Sequence, residues 1–410
     1  NLEGIDRSKA HEANRKDSYR IANRYIKRIK YCNKMPRQAD EDLSKRKDWL
    51  LEVVFDYGEH YEDDQGSVQT VNYLGDLHPW RIRNDPFSSY RPGFEVRTYR
   101  LCQRVLMFHH FEELVEPNYL VRATHFTYNQ TTAVSFISSV TQSSYKLIKN
   151  KYQQRSLPPV EFEYSEAKIK EIVLEVDPIS LENLPQGLDN SRYQWVDLDG
   201  EGLSGLLTEQ GEAWFYKRNQ SAVPIKDSAG NITTPARFAP LELVNPIPSF
   251  ANLAGGQQLL DLAGDGQLDV VEFDGPAPGF FERTSDEDWE AHRSFSSLPN
   301  IAWRDPNLKF IDLTGDGHAD ILITEDEAFN WYPSLAEAGF GPGEKVRQAI
   351  DEEQGPRLVF ADGTQSIYLA DMSGDGLTDL VRIRNGEVCY WPNLGYARFG
   401  AKVTMDQSPW

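Results

Sequence analysis

Four stretches of the chain set carboxylates on a short glycine turn with one spacing: residues 197–205 (DLDGEGLSG), 261–269 (DLAGDGQLD), 312–320 (DLTGDGHAD) and 371–379 (DMSGDGLTD). They align without gaps on the pattern D-x-x-G-D-G-x-x-D, with glycines at positions 4 and 6 where the backbone must take positive φ. Carboxylates this close repel unless something positive gathers them. One chemistry for such a loop is Ca²⁺ binding, because the ion takes about six to eight oxygens and draws them from alternate positions of an acidic turn. The candidate ligands are Asp197, Asp199 and Glu201; Asp261, Asp265 and Asp269; Asp312, Asp316 and Asp320; and Asp371, Asp375 and Asp379. Each copy lacks one ligand: position 3 is Ala263, Thr314 or Ser373 in three loops, and position 9 is Gly205 in the first. The alternative is purely structural, with each aspartate accepting backbone N–H groups of its own turn. Both readings stand at this level. An EF-hand is excluded: it needs an acid at position 12, where Glu272 stands in one loop but Thr208, Ile323 and Arg382 in the others.

The loops start 64, 51 and 59 residues apart. Each lies between two short apolar runs, such as 310–311 and 321–323, and an aromatic run follows after a turn: Trp214 to Tyr216, Phe280 and Phe281, Phe329 to Tyr332, and Cys389 to Trp391. The unit reads as strand, acidic loop, strand, turn, aromatic strand, then a Pro/Gly-rich excursion to an outer strand. A unit of this length with about four strands is the size of a propeller blade, and radial packing explains why none needs a private core. Helical solenoids are excluded, since no 3.6-residue period runs through these units. The fold class is therefore all-β, a β-propeller of four-stranded blades over 185–410 whose ring does not close, preceded by a β-rich segment over 1–184. In that segment alternation predicts strands at 49–57, where Trp49, Leu51, Val53, Phe55 and Tyr57 are apolar, and at 94–107, 119–128, 133–140, 160–164 and 169–176.

Other chemistries find little support. No G-x-S-x-G elbow, P-loop or H-E-x-x-H occurs. His109 and His110 are adjacent and point to opposite faces of a strand, so they do not converge on one ion. Glu161 and Glu163 superficially match the paired acids of mono-ADP-ribosyl transfer, but an alternating strand gives the same pattern. The expectation is a chain that is not an enzyme. Cys32, Cys102 and Cys389 are far apart and without C-x-x-C spacing, which gives neither a disulfide framework nor a thiolate metal site. The net charge of −20 disfavours nucleic acid, although residues 1–50 carry 14 Lys/Arg against 8 Asp/Glu and form a solvated basic face or an inter-domain contact. No apolar run is long enough for a spanning helix, so direct membrane insertion is not expected. The chain begins at Asn1 without Met and stops just after a strand-like run, which suggests part of a longer protein.

The acidic loops resemble the FG-GAP or VCBS repeats of integrin-like propellers. Longer runs say more: 196–207 (VDLDGEGLSGLL), 314–326 (TGDGHADILITED) and 369–393 (LADMSGDGLTDLVRIRNGEVCYWPN), with 54–60 (VFDYGEH) and 94–109 (FEVRTYRLCQRVLMFH) upstream, resemble the SpvB/TcB family, the B component of bacterial insecticidal toxin complexes. The resemblance implies a secreted virulence module whose propeller docks onto a pore-forming A subunit, next to a C subunit that carries the effector. It implies no catalytic residue in this segment, which lacks the ADP-ribosyltransferase domain some SpvB proteins carry. A calcium-dependent adhesin or lectin-like propeller is the alternative.

Overall fold

The computed structural model describes residues 2, 4–62, 70–75, 78–149, 151–165, 173–184, 193–211, 213–226, 228, 230–248, 257–284, 286–406 and 408. Strands dominate, and the α-helix among these residues is the single turn Asp17–Arg20. The chain divides into two compact units, one made of Asn1–Ala167 with Ser373–Asp375 and Val403–Trp410, the other of Lys168–Met372 with Gly376–Lys402.

In the first unit the strands Arg28–Asn33, Trp49–Asp56, Arg104–His109, Tyr119–Gln130, Ser135–Ile148 and Lys151–Ser156 pair in that order, all antiparallel, and Val160–Glu161 joins the Ser135–Ile148 strand. A hairpin of Ile82–Ser89 and Val96–Arg100 stands apart from this sheet. The core is Val54, Leu106, Phe108, Leu120, Ala123, Tyr145 and Tyr152. The alternation at 49–56 is present, but its buried phase is Glu52, Val54 and Asp56 rather than the apolar odd positions. Those buried carboxylates are matched, Glu52 by Arg28 at 2.6 Å and Asp56 by Arg104 at 2.5 Å. The basic N-terminal stretch is engaged in the same way: Arg15 pairs with Glu95, Arg20 with Glu12, and Arg46 with Glu41 and Asp48. Of the strand expected at 169–176, residues 169–172 lie outside the described residues and 173–176 are irregular; the strand expected at 160–164 is limited to Val160–Glu161.

The second feature is four four-stranded antiparallel sheets in a ring that does not close. The first blade is Tyr193–Val196, Gly205–Gln210, Ala213–Lys217 and Glu242–Val244; the second is Gln258–Leu260, Asp269–Glu272, Gly279–Phe281 and Arg293–Ser294. The third is Leu308–Ile311, Asp320–Thr324, Ala328–Tyr332 and Glu344–Arg347; the fourth is Ser366–Ala370, Asp379–Arg384, Glu387–Trp391 and Val403–Thr404. Every acidic loop joins the first and second strands of its blade.

Alternation along the second strands decides how blades share cores. Leu207 of the first blade and Val270 of the second meet in one cluster with Val196, Trp214 and Tyr216. Val271 of the second and Ile321 of the third meet in the next, with Phe273, Phe280 and Phe340. Leu322 of the third and Leu380 of the fourth meet in the last, with Phe329, Trp331, Cys389 and Trp391. One residue of each adjacent pair faces the blade before and the other the blade after, as the period-2 geometry of a strand requires.

Candidate functional site

The glycines at positions 4 and 6 all adopt positive φ, from 71° at Gly200 to 91° at Gly317, which turns the N–H groups between them inward. The position-1 carboxylate collects those donors. Asp197 accepts the N–H groups of Glu201 (2.8 Å) and Gly202 (2.6 Å). Asp261 accepts Gly264 (2.7 Å), Asp265 (3.2 Å) and Gly266 (2.9 Å), and Asp312 accepts Thr314, Gly315 and Gly317 at 3.1, 2.6 and 2.9 Å. Asp371 accepts Gly376 at 2.8 Å.

Position 9 opens the second strand and is buried, with Asp269, Asp320 and Asp379 between 0% and 2% exposed. One oxygen of each accepts the N–H of loop position 2: Leu262 (3.1 Å), Leu313 (2.9 Å) and Met372 (2.9 Å). The other accepts an N–H just past the third strand: Arg283 (3.3 Å), Ser334 (2.7 Å) and Asn393 (2.9 Å). Burial pushes the carboxyls of Asp269 and Asp320 up to about 6; the backbone donors oppose this, while the other loop aspartates add to it.

The first blade has Gly205 at position 9, and a Cβ there would lie 2.5 Å from the Tyr216 hydroxyl and 2.6 Å from the Lys217 carbonyl. The hydroxyl takes over the missing role, accepting Leu198 N–H at 3.3 Å and donating to Val196 O at 3.2 Å. Burial raises its pKa to about 12, so it keeps the proton it donates. Positions 3 and 5 of this loop are gathered by guanidinium groups: Asp199 bonds Arg218 at 2.6 Å and Arg283 of the next blade at 2.7 Å, and Glu201 lies 2.5 Å from Arg218. Arg283 in turn stacks on Trp289.

Position 5 holds less than its place in the motif suggests. Asp265 accepts Gln267 N–H (2.9 Å) and Asp316 accepts His318 N–H (3.0 Å), one bond each. Asp375 is counted with the first unit and accepts the Tyr90 N–H. Among the described residues no group of three or more His, Cys, Asp or Glu is arranged to hold a metal ion.

Neighbouring loops touch in sequence. A Cβ on Gly200 would meet Gly266 O at 2.9 Å, and one on Gly315 would meet Leu377 at 2.7 Å; the His318 ring bonds Leu262 O at 3.1 Å. The loops therefore form one continuous arc on a single face. Sequence reasoning missed a second repeated feature. An isolated bridge closes each blade after its third strand, Asn219 with Phe238, Arg283 with Trp289, Ser334 with Phe340, and Asn393 with Phe399. An aromatic bridging partner six positions after the first bridging residue in three blades was a readable signal.

In the first unit a cleft of about 540 Å³ lies among Lys30, Trp49, Glu52, Tyr73, His110 and Phe111. Glu52 is 1% exposed and accepts the Tyr73 hydroxyl (2.8 Å) and the His110 ring (3.0 Å), while the other His110 nitrogen bonds Pro117 O. His109 packs on Phe111 instead. Glu161 is exposed at the sheet edge.

Blades with shared cores and acidic loops on one face define the class: an open all-β propeller. The family model described as "Salmonella virulence plasmid 65kDa B protein", SpvB, matches residues 1–111. The "Mono(ADP-ribosyl)transferase SpvB" of Salmonella typhimurium strain 14028s is 36% identical over 132 residues, 31% of this chain and 22% of that protein; a second Salmonella typhimurium SpvB is 40% identical over 116 residues, 27% and 19%. A chain of the Photorhabdus luminescens Tc holotoxin pore structure is similar over 95% of this chain and 17% of its own length, at 26% identity and a TM-score of 0.73. Residues 1–111 are thus similar to SpvB and nearly the whole chain to a Tc toxin chain, which supports the resemblance to the SpvB/TcB family. The chain spans about a fifth of the length of the curated relatives it matches.

The expectation that the chain is not an enzyme is corrected by these relatives. They are named mono(ADP-ribosyl)transferases, so absence of catalysis is not a property of the family, and a match over 31% of this chain gives no ground for asserting it here. Among the described residues no helix is long and apolar enough to cross a membrane.

Proposed function

We propose that the chain is part of a toxin-complex component and that its blades form a rigid docking module for a pore-forming subunit, with an effector-bearing subunit as second partner. The observation that carries this reading is the likeness over 95% of the chain to a chain of the Tc holotoxin pore. Two physical features support it. In three of the four turns the loop N–H groups are tied to carboxylates at both ends, and in the first to Asp197 and the Tyr216 hydroxyl, so the face they form is rigid and loses little entropy on docking. Residues 51–410 carry a net charge of −26, which steers them toward a basic surface. Release from the bacterium goes with this role.

The test is to measure association of the full protein with its cognate pore-forming subunit by surface plasmon resonance at about 50 mM and about 500 mM salt. Binding with an association rate that falls as salt rises is expected. A folded full protein that binds at neither salt overturns the reading.

A further inference from the structure

His60 is 0% exposed, and its ring has no freedom over where its proton sits. Nδ1 lies 2.6 Å from the Asn72 carbonyl, which can only accept, so Nδ1 carries the hydrogen. Nε2 lies 2.6 Å from the Lys27 ammonium, which can only donate, so Nε2 presents its lone pair. The three donors of Lys27 are all placed: on Phe55 O at 2.9 Å, on Glu59, and on His60. The neutral Nδ1–H ring is therefore the form this corner is built around. A proton on Nε2 would set two cations in contact and leave a Lys27 N–H without an acceptor.

The ring is also the support of a turn. Asn72 N–H donates back to His60 O at 3.0 Å, Leu74 N–H donates to Asn72 Oδ1 at 3.0 Å, and a Cβ on Gly75 would come within 2.4 Å of the imidazole. Tyr73, in the middle of this turn, lines the 540 Å³ cleft and bonds Glu52 at its base. The cleft wall and the histidine thus share one short segment.

We propose that His60 is an acid-sensitive latch: in its neutral form it fixes the 72–75 turn to the first unit, and its protonation releases that turn and with it the Tyr73 wall of the cleft. The charged groups around it act in both directions. Lys27 opposes a proton on the ring; the Asn72 carbonyl, Glu59 and Asp56 favour one, but Glu59 is bound to Lys27 and Tyr57 N–H, and Asp56 to Arg104, Gly58 N–H and His60 N–H. Burial, the largest effect, and Lys27 hold the ring's pKa below its ordinary value. The sign follows: a depressed histidine pKa gives stability that is present above the open-state value of about 6.5 and lost as pH falls below it.

The experiment is amide hydrogen exchange on the full chain at pH 7.5 and 5.5, corrected for intrinsic exchange. Protection at Asn72 and Leu74 should fall by about tenfold, the opening expected for one proton bound only in the open state. His60→Gln keeps a donor for Asn72 O and an acceptor for Lys27 without titrating, and should abolish the fall. Unchanged protection in the unmutated protein overturns the proposal, as does an equal fall in His60→Gln, which would place the response on another group such as His125. Should His60→Gln not fold, the Cε1–H NMR titration of the unmutated chain decides. A His60 midpoint below about 6.5 is expected, and one at or above it overturns the latch.

Discussion

Replacing Tyr216 by Phe removes one oxygen from the first blade and leaves the ring in place. The hydroxyl lies between Leu198 N–H (3.3 Å) and Val196 O (3.2 Å), and the tyrosine is 5% exposed, so water does not readily replace it. No cavity larger than an oxygen is made, which leaves the unmade hydrogen bonds as the main cost. An unpaired buried donor costs about 1–3 kcal/mol, and because both bonds here are long the lower part applies, about 1–2 kcal/mol. For a unit of this size each kcal/mol moves the melting temperature by about 2–4 °C, so a fall of about 2–8 °C is expected. Thermal unfolding of the full chain, followed by tryptophan fluorescence, measures it, since Trp214 stands in the same strand. A Tyr216→Phe protein that melts within about 1 °C of the parent would show that the hydroxyl does not stand in for the missing carboxylate.

Asp320→Ala should cost more, about 2–4 kcal/mol at pH 7, because it strands one buried and one partly buried N–H group whose bonds are 2.9 and 2.7 Å; denaturant unfolding reads the difference. Acidification from pH 7 toward 5 should stabilise the blades: Asp269 and Asp320 have folded pKa values of about 6, above the ordinary value of 3.8, so each favours the folded state increasingly as pH falls through 6. Asp269→Asn with Asp320→Asn should flatten that rise in a pH series of melting temperatures. Treatment with a chelator should leave the melting temperature unchanged, because the position-1 carboxylates are already engaged by N–H groups; a fall would show that Ca²⁺ gathers the loops after all.

The blades were readable in the sequence because glycine and aspartate act there through backbone geometry, and only a few residue types satisfy a positive φ flanked by inward-facing donors. Position 9 in the first blade was not readable as a working site: its role passes from Gly205 to an atom of Tyr216, eleven residues along and on another strand. Nor was the pairing of Asp199 with Arg283, which depends on two blades being neighbours. In the first unit the period of the strand at 49–56 was legible but its buried face was not. Alternation counts apolar residues, whereas Glu52 and Asp56 are buried by virtue of Arg28 and Arg104, brought in from other strands, which no local window contains. His60 escaped notice for the same reason: its partner Lys27 precedes it by 33 residues.

The excursion from third to outer strand is 11 residues long in the second, third and fourth blades, at 282–292, 333–343 and 392–402, but 24 in the first, at 218–241. The surplus lies inside the Asn219–Phe238 bridge and contains a hairpin of Ile225–Lys226 with Ile232–Thr233, which among the described residues forms a two-stranded sheet of its own. A lineage can therefore lengthen, shorten or replace this rim cassette without rewriting the shared cores, because the bridge closes the blade on either side of it. The same architecture makes whole blades poor units of exchange, since excising one would bare an apolar face on each neighbour. Novelty in this fold should accumulate at the rim, one loop at a time, and a peptide grafted between Lys226 and Ile232 is the engineering form of that rule.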